Sequence, residues 1–148
     1  MRERQGRAGG PQGAARAKPE SFGRLSVAVA ERDRYALVTV AGEVDVTTGT
    51  QLREPLHKLA GQRRHHHVVD LREVTFLDST GLGILVFHHK QMRERGGSLR
   101  VVCAPGLVAR VFRLTGVDRV VPVTESVEAA ETALAALHTD PDGQPTTA

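Results

Sequence analysis

The chain has 148 residues, a length that suits one domain able to bury a core without covalent staples. Its single cysteine excludes an intramolecular disulfide and a four-thiolate zinc site, and fits a reducing cytoplasm. The formal charge of +3 would ordinarily raise nucleic acid as a partner, but Arg2, Arg4, Arg7, Arg16 and Lys18 against Glu3 and Glu20 account for all of it, so the rest of the chain is neutral.

Residues 1–20 contain Gly, Pro, Ala and Gln among those charges and almost no large apolar side chain, so nothing would offset the entropy of ordering them. They read as a disordered basic tail, a solubilising extension before contact with nucleic acid or lipid is considered. No apolar run approaches the ~20 residues needed to cross a bilayer, and the N-terminus lacks the apolar stretch of a signal peptide. The expectation is a soluble cytoplasmic protein with no membrane partner. A single domain is expected over residues 21–138, followed by a second disordered tail at 139–148, where Pro141, Gly143 and Pro145 cluster.

Residues 25–30 and 35–41 are β-like and joined through Glu31, Arg32, Asp33 and Arg34, which suggests a hairpin. Leu52, Leu56 and Leu59 follow at helical spacing, with Thr48 and Gln51 placed for a reciprocal capping box and Gly61 as a stop. Pro55 falls inside that helix, where it costs ~3 kcal/mol, so a kink or a later start is expected. Residues 68–71 read as a short strand. A helix over residues 80–95 has a strongly apolar first half (Leu82, Ile84, Leu85, Val86, Phe87), expected to be largely buried, and Gly96 and Gly97 supply a left-handed stop. Next come a strand at 99–103, a short helix carrying Leu107, Val108, Val111, Phe112 and Leu114 up to Gly116, and an edge strand at 120–123 because Pro122 cannot donate to a ladder. A last helix places Val127, Ala130, Leu134 and Leu137 on one face.

The order is β-β-α-β-α-β-α-β-α, an α/β domain with a mixed β-sheet packed with helices. Its later strands should run parallel through right-handed crossovers. Partners then favour the carboxyl ends of those strands, where two loops qualify: Gly42-Glu43-Val44-Asp45 and Thr75-Phe76-Leu77-Asp78-Ser79.

Ser79 and Asp78 are ordinary residues for a helix start, but Gly81 and Gly83 each cost up to ~1 kcal/mol relative to Ala in a helix. Either the glycines let the helix pack closely on the sheet, or they let another surface approach the Ser79 hydroxyl. Gly81-Leu82-Gly83 lacks the third glycine of a dinucleotide fingerprint (Val86 stands there) and the lysine of a P-loop. A nucleophile elbow fails because Leu77 occupies one glycine position, and His88 and His89 lie more than two helical turns from Ser79. An esterase using Ser79 is therefore disfavoured, and no catalytic residue or cofactor is expected. His65-His66-His67 alternate in direction along a strand entry and read as a solvated loop rather than a metal site, and Cys103 reads as a small buried hydrophobe.

Phe76-Leu77-Asp78-Ser79-Thr80-Gly81-Leu82-Gly83, with Gly42-Glu43-Val44-Asp45, Gly96-Gly97-Ser98-Leu99 and Val111-Phe112-Arg113-Leu114-Thr115-Gly116 at matching spacing, resembles the STAS-domain anti-sigma-factor antagonists of bacteria over residues 24–137. The resemblance implies a STAS-like single domain that binds an anti-sigma factor with serine/threonine kinase activity. Binding would release a sigma factor, in circuits such as stress response or sporulation. It implies phosphorylation at Ser79, which ends binding, and a serine phosphatase that reverses it. Asp78, Thr80, Gly81, Leu82 and Gly83 would frame the acceptor, with Glu43 and Asp45 at its border. The free protein is expected to be a monomer without direct DNA binding. The alternative is a domain of this fold acting as a scaffold or transport-complex subunit outside any sigma-factor circuit.

Overall fold

The computed structural model describes residues 24–137. Both expected tails, 1–20 and 139–148, lie outside the described residues. Strands β1 (Leu25–Glu31), β2 (Ala36–Val44), β3 (His66–Leu77), β4 (Ser98–Val102) and β5 (Val123–Thr124) alternate with helices α1 (Gly49–Ala60), α2 (Ser79–Arg93), α3 (Leu107–Thr115) and α4 (Val127–Leu137) after the opening hairpin. The strands stand side by side in chain order. β1 pairs antiparallel with β2, and every later pair is parallel. This is the mixed sheet that the order of elements implied.

Neighbouring parallel strands joined by right-handed crossovers send every connecting helix to the same face of a sheet. The burial follows that rule. Val38 and Val40 of β2, Val69 and Leu71 of β3, and Leu99 and Val101 of β4 form one core with Leu52 and Leu56 of α1, Leu82 and Leu85 of α2, and Phe112 of α3. The alternate residues Leu37, Val68 and Val102 point to the other face. There they meet Tyr35 and the Ala130 and Leu134 of α4, a helix that crosses nothing and so is free to return on the opposite side. The Tyr35 hydroxyl ties that helix down through a 2.5 Å hydrogen bond to Glu131.

Several local expectations change. The third strand runs from His66 to Leu77, far beyond 68–71, so Thr75, Phe76 and Leu77 belong to the strand rather than to a loop. Likewise Gly42, Glu43 and Val44 end β2, and only Asp45 lies in the turn beyond it. Two register irregularities in β2, between Thr39 and Ala41 and between Gly42 and Glu43, bend its end. Gly42 has φ 114°, and a Cβ there would sit 1.8 Å from the Arg24 carbonyl oxygen, so only glycine fits. α1 continues through Pro55 without a break. Thr48 makes no capping bond. Its hydroxyl donates instead to the Glu43 carbonyl at 2.8 Å and accepts from the Asp45 amide at 2.9 Å, bracing the turn. Gly96, at φ 81°, terminates α2 in a Schellman arrangement, with the Gly97 amide donating to the Met92 carbonyl. β5 shrinks to two residues after a 3-10 turn at Val117–Arg119.

His66 and His67 are not in a solvated loop. They enter β3 as buried residues. His66 Nδ1 lies 3.0 Å from the Ser98 hydroxyl, and His67 Nδ1 lies 2.8 Å from Nε2 of His88 on α2, with the two rings stacked. His67 Nε2 sits 3.1 Å from the Arg64 carbonyl, which can only accept, so that nitrogen carries the proton. His67 Nδ1 is then the acceptor and His88 Nε2 donates to it. Cys103 is buried as expected, and burial pushes its thiol pKa up, away from thiolate chemistry.

Candidate functional site

The carboxyl ends of β2 and β3 lie together, since Val44 pairs with Leu77 and the Asp78 amide donates to the Val44 carbonyl at 3.2 Å. These contacts join the two segments singled out in the sequence. On the first, the Asp45 carboxylate accepts from the Thr47 hydroxyl at 2.7 Å and from the Thr47 and Thr48 amides at 2.9 and 3.1 Å. Those bonds, led by that of the Thr47 hydroxyl, hold the Asp45 carboxyl below the usual carboxylate range. Asp45 thus shapes the turn into α1. Glu43 turns away from it and pairs with Arg24 at 3.3 Å, an exposed contact worth little to stability.

On the second loop, Asp78 is the N-cap of α2. Its Oδ1 accepts from the Thr80 amide at 2.9 Å and from the Gly81 amide at 3.3 Å, while its carbonyl accepts from the Leu82 amide. Ser79 is the first residue of the helix and is exposed. Among the described residues its hydroxyl has no hydrogen-bond partner. Thr80 is half-buried against the start of α1, and Leu82 is buried in the core.

The two glycines play different parts. A Cβ on Gly81 would meet Leu77 Cδ1 at 2.6 Å and Val44 Cγ1 at 2.8 Å, so Gly81 is the close-packing glycine that lets α2 lie on the ends of both strands. A Cβ on Gly83 would meet nothing within 4 Å, and that position is exposed. Packing therefore accounts for the first and leaves the second without a structural reason within the domain. Opposite effects are expected. Gly83→Ala should raise stability by up to ~1 kcal/mol through helix propensity, whereas Gly81→Ala should lower it by about 1–2 kcal/mol because overpacking outweighs that gain. Urea unfolding of both variants measures the difference, and a stabilised Gly81→Ala would contradict the packing role.

Beside Ser79 opens a groove of 630 Å³ between α1 and α2, walled by Leu56 and His57 on one side and by Ser79, Gly83, Ile84 and Phe87 on the other. Phe87, expected in the core, is 66% exposed, and Val46 in the turn before α1 is 76% exposed. The groove was not foreseen, because the apolar first half of α2, Phe87 included, was expected to be largely buried. The spacing of Ser79, Gly83 and Phe87, four residues apart along one helical face, was the signal available.

The STAS domain model matches residues 26–130, most of the chain. The anti-sigma-B factor antagonist of Bacillus subtilis (strain 168) is 33% identical over 104 residues, covering 70% of this chain and 94% of that protein. An anti-sigma factor antagonist from Mycobacterium paratuberculosis superposes with a TM-score of 0.70 at 29% identity, over 75% of this chain and 94% of that one. The anti-sigma factor antagonist SpoIIAA shares the fold at lower identity. Its unphosphorylated form gives a TM-score of 0.63 at 17% identity, over 74% of this chain and 97% of that one. The phosphorylated form of SpoIIAA, a Bacillus cell fate determinant, gives 0.55 at 15%, over 73% and 99%. With two parallel strand ends tied together beneath the start of α2, a family model over most of the chain and a 33% identical relative covered over 94% of its length, the chain belongs to the STAS domain family of anti-sigma-factor antagonists.

Proposed function

We propose that this protein is an anti-sigma-factor antagonist whose unmodified form binds an anti-sigma factor that is also a serine kinase, so that a sigma factor is released. Transfer of a phosphoryl group to Ser79 ends that binding, and a serine phosphatase restores it. The observation that carries the reading is the state of Ser79: exposed, at the first position of α2, with a hydroxyl that no described residue engages. Phosphoryl transfer from kinase-bound ATP forms the bond from Ser79 Oγ to the γ-phosphorus, breaks the bond to ADP, and passes the serine proton to a base on the kinase. The names of the similar proteins support an anti-sigma factor as the partner, and the existence of SpoIIAA in phosphorylated and unphosphorylated forms supports a phosphorylation switch.

The local geometry says how such a switch would work. A phosphate adds ≈ −1.5 to −2 charges, which the positive end of a helix ordinarily welcomes by ~0.3–1 kcal/mol. Here the Thr80 and Gly81 amides already bond to Asp78, so the new group would find those donors taken and a carboxylate beside it. It would stand outward, on the surface where a partner docks. Asp78 and Gly81 hold the acceptor in place, Thr80 and Leu82 anchor the helix start, Gly83 leaves room next to it, and Asp45 and Glu43 shape the neighbouring strand end.

Incubating the protein with candidate anti-sigma kinases and ATP, then mapping phosphate by mass spectrometry, tests the reading. Phosphate on Ser79 is the expected result. Phosphate on Thr80 alone, or none from any candidate, would favour a scaffold or transport-complex subunit of the same fold.

A further inference from the structure

We propose that the groove between α1 and α2 is a second docking point for the kinase, filled by an apolar side chain that the kinase presents outside its catalytic cleft and that packs on Phe87 over Gly83. This rests on the reading of Ser79 as phosphoacceptor and adds where the enzyme grips its substrate. Three observations carry it. Ser79 and Thr80 are part of the groove wall, so any enzyme that brings its reacting groups to Ser79 Oγ stands against the groove. Ser79, Gly83 and Phe87 lie on one line of α2, and eight residues of helix put Phe87 about 12 Å from Ser79, within the footprint of a docked protein. Phe87 is an aromatic residue left 66% exposed, next to a glycine with no neighbour of its own, so together they form a shelf with a hollow in it. Exposed aromatics beside a hollow are the residues that carry binding energy once a partner excludes water from them. Arg53 and Glu54 on α1 flank the hollow with opposite charges, which leaves an uncharged insert as the best fit for its apolar floor of Leu56 and Ile84.

The test is steady-state phosphorylation of the full chain by its kinase, comparing wild type with Phe87→Ala, Phe87→Leu, Gly83→Gln and, as a control on an exposed apolar residue outside the groove, Leu114→Ala. Leu114 lies on α3 and is 72% exposed. Phe87→Ala and Gly83→Gln should each raise KM roughly tenfold while kcat stays within about twofold, and Phe87→Leu should recover part of the loss. Melting temperatures should not fall, because both positions face solvent, so misfolding would not account for the change. An unchanged KM for both variants, with wild type still phosphorylated on Ser79, would overturn the groove while leaving the Ser79 reading intact. An equal rise for Leu114→Ala would also overturn it, by showing that any exposed apolar residue contributes. Failure of wild type to accept phosphate from any kinase, while still binding the anti-sigma factor, would remove the acceptor role and the groove with it.

Discussion

Ser79→Glu is expected to lose about 100-fold in affinity for the anti-sigma factor while its melting temperature stays within a few degrees of wild type. The two halves of this expectation have separate causes. The fold is indifferent because Ser79 is exposed and makes no described hydrogen bond, so nothing in the core or in the cap of α2 depends on it. Binding is not indifferent, because a carboxylate at Ser79 stands beside Asp78 with the Thr80 and Gly81 amides already engaged, and a partner closing over it would bury a charge without a counter-ion. Breaking even in such a case requires a new donor from the partner, and uncompensated burial costs several kcal/mol. Ser79→Ala is the complementary variant. It should bind with or without ATP, since there is no hydroxyl to modify. Calorimetric titration with the anti-sigma factor, paired with thermal melts, reads both variants. A Ser79→Glu protein that binds as wild type does would show that charge at this position is not the switch.

Acid should unfold this domain more steeply than its carboxylates alone would require. His67 and His88 form a buried neutral pair, and burial, the largest cause for each, depresses their pKa values from 6.5 to about 4 and about 3. Repulsion between the rings adds to this at His88, where His89, Arg95 and His57 also contribute, and at His67 the charges of His66 and His65 do so. Only the Arg64 carbonyl works the other way. The unfolded chain binds protons on both imidazoles as pH falls through 6.5, while the folded chain does not. Stability is therefore fully present above pH 6.5 and is lost below it, by roughly 1.4 kcal/mol per pH unit for each imidazole, until the folded values are reached. His67→Gln or His88→Gln should flatten the slope between pH 6.5 and 4 even though each also removes a native hydrogen bond. Urea midpoints measured across that range decide the point, and an unchanged slope in both variants would show that the pair is not the source.

Much of the architecture was readable from the sequence because apolar spacing and turn residues agreed. The Leu52, Leu56, Leu59 face gave α1, and the Gly96 and Gly116 stops closed α2 and α3 where the glycines stand. The extent of β3 was hidden for a physical reason. His66 and His67 begin it as buried polar residues bonded to Ser98 and to His88, and its second half pairs only with β2, because β4 stops opposite Asp70. Past that point single buried residues, Leu71, Val74 and Leu77, are separated by exposed pairs instead of alternating one for one, and no run of apolar residues marks it. β5 erred in the opposite direction: Val121 is fully buried, but it reaches the core from a turn rather than from a strand. At the site, the capped helix start and the close-packing glycine were legible because Asp78 and Gly81 fall within one short run of sequence. The groove was not, since it is lined jointly by α1 and α2, which are distant in sequence, and an exposed Phe87 is invisible to a rule that places apolar residues inside.

Ser79 is held in helical backbone, its neighbours Asp78 and Gly81 fixed to each other and to the strand ends beneath. Enzymes that select a serine by laying an extended peptide along their own sheet edge would have to unwind the start of α2 and break the Asp78 cap to use it. On the proposed reading of Ser79, an enzyme acting here would instead read a finished surface. The modification would then double as a folding checkpoint, because a chain that has not yet assembled β2, β3 and α2 offers no acceptor of the right shape. Signalling through Ser79 would draw on native molecules alone.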